Sequence, residues 1–396
     1  MLHKRLGFFK STTAIATSHV NSTQQTHGDW LGRCIYCVSA KARNIMPAIA
    51  LAVSSYIAAP TLHADTHELT SAQRFSVIAH RGASGYLPEH TLEAATLAFS
   101  LKPDFIEQDV VISKDNVPVV LHDIHLETVT NVEAVYPKRH RADGRYYARD
   151  FTLEELRNLR VHERANSDGK QVFENRYRGQ QAQFTLATLA EHFELISELN
   201  RQFGTSVGVY PEVKSPAFHS NEGVDASKIV IDMLNTYGFG GESGNSYLQC
   251  FDFKEVKRIR ETLGYKGKVV MLIGENDWGE SDTDYDWLRT KEGMGEVASY
   301  ADGIGPWLGH LLNKKAMAEG KLEAAKWLEY AHDNSLTIHP YTYREDALPA
   351  GMTGTQLLEA LENVANIDGV FTDHVVPVTR SVSYTHLRAH ETDSYL

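Results

Sequence analysis

The chain has 396 residues, 42% hydrophobic, 23% charged and 10% aromatic, with a formal net charge of −12. This composition excludes a polytopic membrane protein, a collagen-like chain and an intrinsically disordered one. The acidic balance argues against a general nucleic-acid binder, which needs a basic face to neutralise phosphates, and three cysteines are too few for a disulfide framework.

Residues 1–64 stand apart. From Lys41 a short basic region, KARN, precedes the apolar run MPAIALAVSSYIAAP and then TLHA before Asp65. That order describes a secretory signal, and the apolar run is shorter than the roughly 20 residues a bilayer crossing needs. The expectation is an exported, periplasmic protein without stable membrane insertion. Residues 1–40 are a long polar preface, best explained by a start assigned too far upstream. Cys34 and Cys37 form a CxxC with no second pair, which does not make a zinc site, and cleavage would remove both. The remaining chain carries 33 basic and 50 acidic residues, a net −17, and keeps only Cys250, so no internal disulfide can form. At the other end, SVSYTHLRAHETDSYL after Arg380 has neither apolar periodicity nor turn logic, and 381–396 are expected to be foreign to the fold. The functional body is then 65–380.

Within it, apolar strand-like runs recur at 75–80, 105–112, 117–122, 207–214, 247–252, 268–273, 301–307, 336–343 and 369–373. Between most of them lie helix-period segments such as TLEAATLAFSL, DASKIVIDMLNTYG and LEAAKWLEYAHDN. Strand–helix alternation predicts a parallel sheet with right-handed crossovers. With VPVVLH taken as the return arm of a hairpin on the second strand, eight strands remain. The predicted fold is a (β/α)8 TIM barrel, with an open doubly wound sheet as the alternative. Residues 124–183 break the rhythm and hold eleven Lys/Arg against nine Asp/Glu. They read as an insertion after the second strand, either an ordinary solvated excursion or a lid over the barrel mouth. Thr152 and Glu155 have the spacing of a capping box for one short helix there.

Polar residues gather near the C-terminal ends of these strands, where barrel enzymes build their sites. Because a strand alternates faces, Glu107 and Asp109 share one face, as do Glu212 and Lys214. His80 and Arg81 end the first strand, His122 and Asp123 end the hairpin arm, Gln249 lies in the fourth barrel strand, and Thr372 and Asp373 end the last. Charges inside a barrel are costly unless paired or bound to something. Three carboxylates without a thiolate select Ca²⁺ or Mg²⁺ over zinc, and no HxH or HExxH stands beside them. Arg81 and Lys214 suit an anionic substrate, and two histidines from different strands suit a general base and a general acid. Together they point to breaking a phosphate ester. His339 and Tyr341 share a face and either line the pocket or fill a barrel layer. Asp373 either supports the site or caps the last loop. His332 reads as a helix-end surface residue, and Cys250 as a buried small apolar one.

The segments AHRGASGYLPEHTLEA, FIEQDVVISKDNVPVVLHD, YPEVKSP, YLQCFD, YADGIGP, IHPYTYR and GVFTDH occur in the order seen in glycerophosphodiester phosphodiesterases, and the chain resembles the bacterial periplasmic branch over about 75–375. The family's PENT motif is PEHT here, with His90 in the Asn position, and Trp307 follows GIGP as a local variation. The resemblance implies a metal-dependent hydrolase that cleaves glycerophosphodiesters, such as glycerophosphocholine and glycerophosphoethanolamine, to sn-glycerol 3-phosphate and an alcohol. It implies His80 and His122 as the acid–base pair, with His80 the base. Glu107, Asp109 and Glu212 would be ligands for Ca²⁺, with Mg²⁺ the alternative. Arg81 and Lys214 would hold the phosphate, with Gln249 and Trp307 as further substrate contacts. The partner is a small molecule, and a homodimer is left open. Two rivals stand beside this reading. One is a phospholipase-D-like enzyme on intact lipids, disfavoured by the lack of an amphipathic basic helix. The other is a non-catalytic binding protein, disfavoured because no histidine or carboxylate of the set is replaced.

Overall fold

The computed structural model describes residues 75–179 and 181–383. Nine strands form one sheet: β1 Ser76–Ala79, β2 Phe105–Ile112, β3 Pro118–Val120, β4 Gly208–Val213, β5 Tyr247–Cys250, β6 Lys268–Ile273, β7 Gly303–Pro306, β8 Thr337–Ile338 and β9 Gly369–Thr372. Their order is β8-β7-β6-β5-β4-β2-β1-β9, all parallel, with β3 folded back antiparallel on β2. Main-chain bonds close the ring: Asp368 N–H donates to Ile338 O, Phe371 N–H to Pro340 O and Tyr343 N–H to Phe371 O. The chain is therefore a (β/α)8 barrel with an insertion after its second strand, and the open-sheet alternative falls away.

Residue alternation decides what fills the barrel. In β2, Ile106, Val110 and Ile112 belong to the large cluster shared with the helical layer, while Phe105 joins Ile78, Tyr210, Tyr247, Val270, Leu272 and Phe371 in a separate interior cluster. Tyr210 stacks on Tyr247 with ring centroids 4.8 Å apart and meets Phe371 edge-on, also at 4.8 Å. This aromatic plug floors the barrel, and the next inward positions along β2 and β4, Glu107, Asp109 and Glu212, stand above it. His339 belongs to the plug, its Nδ1 3.1 Å from the Tyr210 hydroxyl. Tyr341, two residues on, lines the cavity above. Cys250 is fully buried and unpaired.

Helix boundaries follow their capping residues. Thr91 accepts from Ala94 N–H to start Leu92–Ser100, Thr188 and Glu191 form a reciprocal box on Leu189–Phe203, and Asp225 starts Ala226–Thr236. The 322–334 segment is helical only over Leu328–Asp333. Its first half pairs with 311–313 instead: Ala325 N–H donates to Leu311 O and Asn313 N–H to Glu323 O, a local competition that the helix-period pattern does not register. His332 sits at that helix's C-terminal turn, as its sequence context suggested.

The insertion is more than a solvated excursion. Leu126, Val129, Tyr146, Phe151 and Leu156 pack with Val111 and Val119 of the β2–β3 hairpin, and with Phe184 just past the insertion, into a second apolar cluster. The expected capping box forms at Thr152 and Glu155, starting Leu153–Leu156. At the C-terminus, residues 375–383 are one helix and Val382 lies in the main cluster at 8% exposure, so the boundary expected at 380 runs through an element. The rest of the expected tail, the leader with its signal pattern, and Cys34 and Cys37 lie outside the described residues. Among the described residues no helix is long and apolar enough to cross a membrane.

Phe151 has no exposure and packs against Tyr136, 5.3 Å between centroids, beneath the Arg139 guanidinium. Phe151→Ala should cost about 3–5 kcal/mol in urea unfolding. A loss below about 1 kcal/mol would show that the insertion unfolds separately from the barrel.

Candidate active site

The loop after β1 is built tightly. Arg81 takes φ of +57° and Gly82 +79°, and a Cβ on Gly82 would stand 2.8 Å from the Ala94 carbonyl carbon. This turn lets the Arg81 N–H donate to Glu107 Oε2 at 2.6 Å, tying the loop to β2. His90, also at positive φ, donates its N–H to Arg81 O and brings its ring Nε2 to 2.7 Å from Asp109 Oδ2. Two non-glycine residues in the left-handed region of one loop mark a backbone held in place by its surroundings.

A cavity of about 230 Å³ opens above the aromatic floor, lined by His80, Arg81, Glu107, Asp109, His122 and Glu212, with Gln249, Phe251, Trp278, Glu280, Trp307, Tyr341 and Arg344 around them. Eight of the nine residues singled out in the sequence line it. The ninth, Lys214, is 3% exposed, and its ammonium lies 2.8 Å from Glu212 Oε1, 3.6 Å from Glu280 Oε2 and 5.2 Å from the centre of the Phe251 ring. The ammonium is therefore paired chiefly with Glu212 at the edge of the carboxylate cluster.

The carboxylates are crowded. Asp109 and Glu212 face each other across adjacent strands in register, with Gln249 beside Glu212. Burial first, then the charge of Asp109, raises the Glu107 carboxyl well above the ordinary range. Burial does the same at Glu212, with Lys214 opposing and Asp109 adding to it. Asp109 Oδ1 has no hydrogen-bond partner although it is buried. Converging oxygen donors, mutual repulsion and an orphaned carboxylate oxygen fit a divalent cation. His90, Glu107 and Asp109 bring ligand atoms within 4.8 Å of one another. Glu212 faces the same cavity but its Oε1 is engaged by Lys214. His90 was legible only as a departure from a motif, and the structure puts it in contact with the cluster.

Each histidine is oriented by an aspartate. His80 Nδ1 lies 2.6 Å from Asp373 Oδ1 and His122 Nδ1 2.6 Å from Asp123 Oδ1. With Nδ1 bound to a carboxylate, the proton sits there and Nε2 is the free nitrogen. Burial, then Arg81, lowers His80 to about 4, with Asp373 opposing; burial, then Arg81 and Lys214, lowers His122 to about 3. Both rings are neutral at pH 7 in the free protein. An anion on Arg81 and Lys214 would offset the charges that keep them so. Asp373, open between two readings in the sequence, supports His80. Asp123 was visible as the neighbour of His122, without a role.

Behind these pairs stand residues that sequence reasoning missed. Glu89 of the PEHT segment accepts from Arg81 Nη1 at 3.1 Å to both oxygens. Arg164 and Arg176, both from the insertion, contact Asp123 and Asp373 respectively. No local pattern marks them; the basic excess of 124–183 was the only signal.

A profile of the "Glycerophosphoryl diester phosphodiesterase family" matches residues 80–376. A glycerophosphodiester phosphodiesterase of Haemophilus influenzae is 41% identical over 315 residues, covering 75% of this chain and 86% of that protein. One from Treponema pallidum is 33% identical over 315 residues, covering 75% and 88%. Among solved structures, a putative glycerophosphoryl diester phosphodiesterase from Silicibacter pomeroyi superposes with TM-score 0.59 at 20% identity, covering 80% of this chain and 95% of that one. An Oleispira antarctica phosphodiesterase, in complex with its product sn-glycerol-3-phosphate, superposes with TM-score 0.52 at 18% identity, covering 78% and 97%. At these identities the structures speak to the fold.

A carboxyl whose pKa is raised on folding binds more protons folded than unfolded above its ordinary value, so it removes stability as pH rises. Without divalent cations, melting temperature should therefore fall from about pH 5 to pH 8 more steeply for the native protein than for Glu107→Gln. Gln at this position can still accept from the Arg81 N–H. Parallel curves would mean that Glu107 is not the group under charge pressure.

Proposed function

This chain belongs to the glycerophosphoryl diester phosphodiesterase family and is a phosphoric diester hydrolase, and from that premise we propose that it hydrolyses small glycerophosphodiesters, such as glycerophosphocholine, to sn-glycerol 3-phosphate and an alcohol, using a divalent cation and two histidines. The observation that carries the proposal is the facing of two aspartate-bound histidines into one cavity with three carboxylates and Arg81, with Lys214 paired to Glu212 behind them. The release of sn-glycerol 3-phosphate is supported by the product bound to the Oleispira antarctica protein, whose fold this chain shares.

Glu107, Asp109 and Glu212 would hold the ion, with His90 beside Asp109. When bound, Ca²⁺, or alternatively Mg²⁺, supplies positive charge that draws electron density from the phosphoryl oxygens. Arg81 offers a planar fork and Lys214 a point charge, so the phosphodiester is gripped from two directions. Arg81 is itself held by Glu89, which limits the conformational entropy lost on binding. His80 Nε2 accepts the proton of the attacking oxygen, whether that of water or of the glycerol 2-hydroxyl. His122, once the bound anion offsets Arg81 and Lys214, takes up a proton from solvent at Nε2 and delivers it to the departing alcohol. Gln249 keeps a buried, unpartnered carbonyl oxygen in the cavity, suited to a substrate hydroxyl. Trp307, Trp278, Phe251 and Tyr341 form an aromatic wall beside Glu280, and Tyr341 is anchored by donating to Ile273 O at 3.0 Å. The cavity is of small-molecule size, which favours water-soluble diesters over intact lipids. Residues 41–64 support export to the periplasm, where such diesters would meet the enzyme.

Incubated with glycerophosphocholine and Ca²⁺, the purified protein should release glycerol 3-phosphate, stop on chelation and recover when Ca²⁺ is restored. No release with any of several headgroups and metals, from folded protein, would overturn the reading. His80→Ala and His122→Ala should each lower kcat by about 10²–10⁴-fold, the usual size of a general acid–base contribution, with the circular dichroism spectrum unchanged. A variant retaining half its activity would remove that histidine from the acid–base pair.

A further inference from the structure

The insertion at 124–183 supplies one arginine behind each histidine. Arg164 Nη1 donates to Asp123 Oδ2 at 2.6 Å, while the opposite oxygen of Asp123 holds His122. Arg176 Nη2 donates to Asp373 Oδ2 at 2.7 Å, while the opposite oxygen of Asp373 holds His80. Each arginine also contacts a second carboxylate, Arg176 sharing its Nη2 between the two. Arg164 makes a two-point contact with Glu89, at 3.0 Å from Nε and 2.6 Å from Nη2. Glu89 in turn holds Arg81. Arg176 contacts Asp346 at 2.8 Å from Nε and 3.1 Å from Nη2. His80, His122 and Arg81 are thus each one carboxylate away from an insertion arginine.

These are not surface ion pairs of negligible weight. Arg176 is 7% exposed and lies over the Phe173 ring at 3.6 Å. The Arg164 side chain is 17% exposed. The two-point contacts to Glu89 and Asp346 fix the planes of the Arg164 and Arg176 guanidinium groups. Each guanidinium so held aims one N–H at the aspartate oxygen opposite the one on which the imidazole leans, and thereby orients that carboxylate. Arg164 and Arg176 flank a short paired excursion in which Ala165 opposes Gln171 and Val172 N–H donates to Arg164 O, so both ride on one element. Val161 and Tyr177, on either side of this segment, pack in the apolar cluster with Val111 and Val119 of the β2–β3 hairpin, whose end carries His122.

We propose that Arg164 and Arg176 are positioning residues for the reaction, and that the docked insertion fixes the tautomer and aim of both histidines through Asp123 and Asp373. The proposal rests on the acid–base assignment above. The two arms are unequal. Asp373 also accepts from Arg344 Nε at 2.8 Å, whereas Asp123 has only the Thr128 hydroxyl, at 2.8 Å, besides Arg164 and its histidine. Losing Arg164 should therefore disturb its histidine more than losing Arg176.

The test compares Arg164→Ala, Arg176→Ala, His122→Ala and His80→Ala, with the two matched double variants, in the full chain at saturating Ca²⁺. Substrates are glycerophosphocholine and a p-nitrophenyl glycerophosphodiester, whose leaving group departs without protonation. On glycerophosphocholine, kcat should fall about 10–100-fold for Arg164→Ala and about 10-fold for Arg176→Ala, with KM within about 3-fold. On the p-nitrophenyl ester Arg164→Ala should recover to within about 5-fold of the native enzyme, as His122→Ala does, while Arg176→Ala stays depressed, as His80→Ala does. Adding each arginine change to its own histidine change should cost little more. Additive losses, or two arginine variants that resemble each other rather than their histidine partners, would overturn the proposal. Should the histidine variants show exchanged leaving-group profiles, with each arginine following its own partner, the positioning role stands and only base and acid change places. Histidine variants that stay active would instead overturn the acid–base assignment itself, a distinct result. If an alanine variant loses the native near-ultraviolet circular dichroism, Arg164→Lys and Arg176→Lys carry the same comparison, since each keeps the charge and loses the two-point contact.

Discussion

Three buried carboxylates converging above an aromatic floor are the constraint to which the rest of this structure answers. Glu107, Asp109 and Glu212 stand on neighbouring strands, and burial, with mutual repulsion added, holds Glu107 and Glu212 well above the ordinary carboxyl range. Such a cluster costs stability in the free protein and persists only because the barrel around it is over-determined. Eight parallel strands close by main-chain bonds, and the stack of Tyr210, Tyr247, Phe105 and Phe371 beneath leaves the carboxylates nowhere to retreat. Every other polar feature compensates that charge or uses it. Arg81 and His90 lean on Glu107 and Asp109, and Lys214 leans on Glu212.

The same cations serve two ends. Arg81 and Lys214 offset the carboxylates, and they add to burial in lowering the histidines, Arg81 at both rings and Lys214 at His122. In the proposed reaction an entering phosphodiester would sit between cations and histidines, so binding the anion would relieve the pressure on the rings when one of them must carry a proton. Substrate binding and acid–base readiness are thereby linked by electrostatics alone. The two aspartates give direction to that link, since a histidine whose Nδ1 is held can exchange its proton only at Nε2.

Much of this was legible along the chain. Period-two alternation in FIEQDVVI and YPEVKS predicts which carboxylates share a face, and the strand–helix rhythm predicts the barrel. The hairpin arm VPVVLH forms as expected. What stayed hidden involves partners far apart in sequence. Asp373 meets His80 across 293 residues, and Arg176 meets Asp373 across 197. No window of the sequence contains both members, and an arginine in an irregular segment carries no mark of its destination. The first half of 322–334 has helical periodicity yet pairs with 311–313, because a competing partner outweighed propensity.

The sequence by itself therefore determined the fold class, the gathering of polar residues at the strand ends and eight residues that line the cavity with Lys214 behind them. Those follow from local periodicity and from the rule that buried charge clusters where it has work to do. Only the tertiary structure decided which histidine leans on which aspartate, that His90 touches the carboxylate cluster, and that the insertion reaches back to both histidines. Those are matters of where closure brings distant loops together, and side-chain hydrogen bonds a few ångströms long depend on that closure rather than on any repeat in the chain.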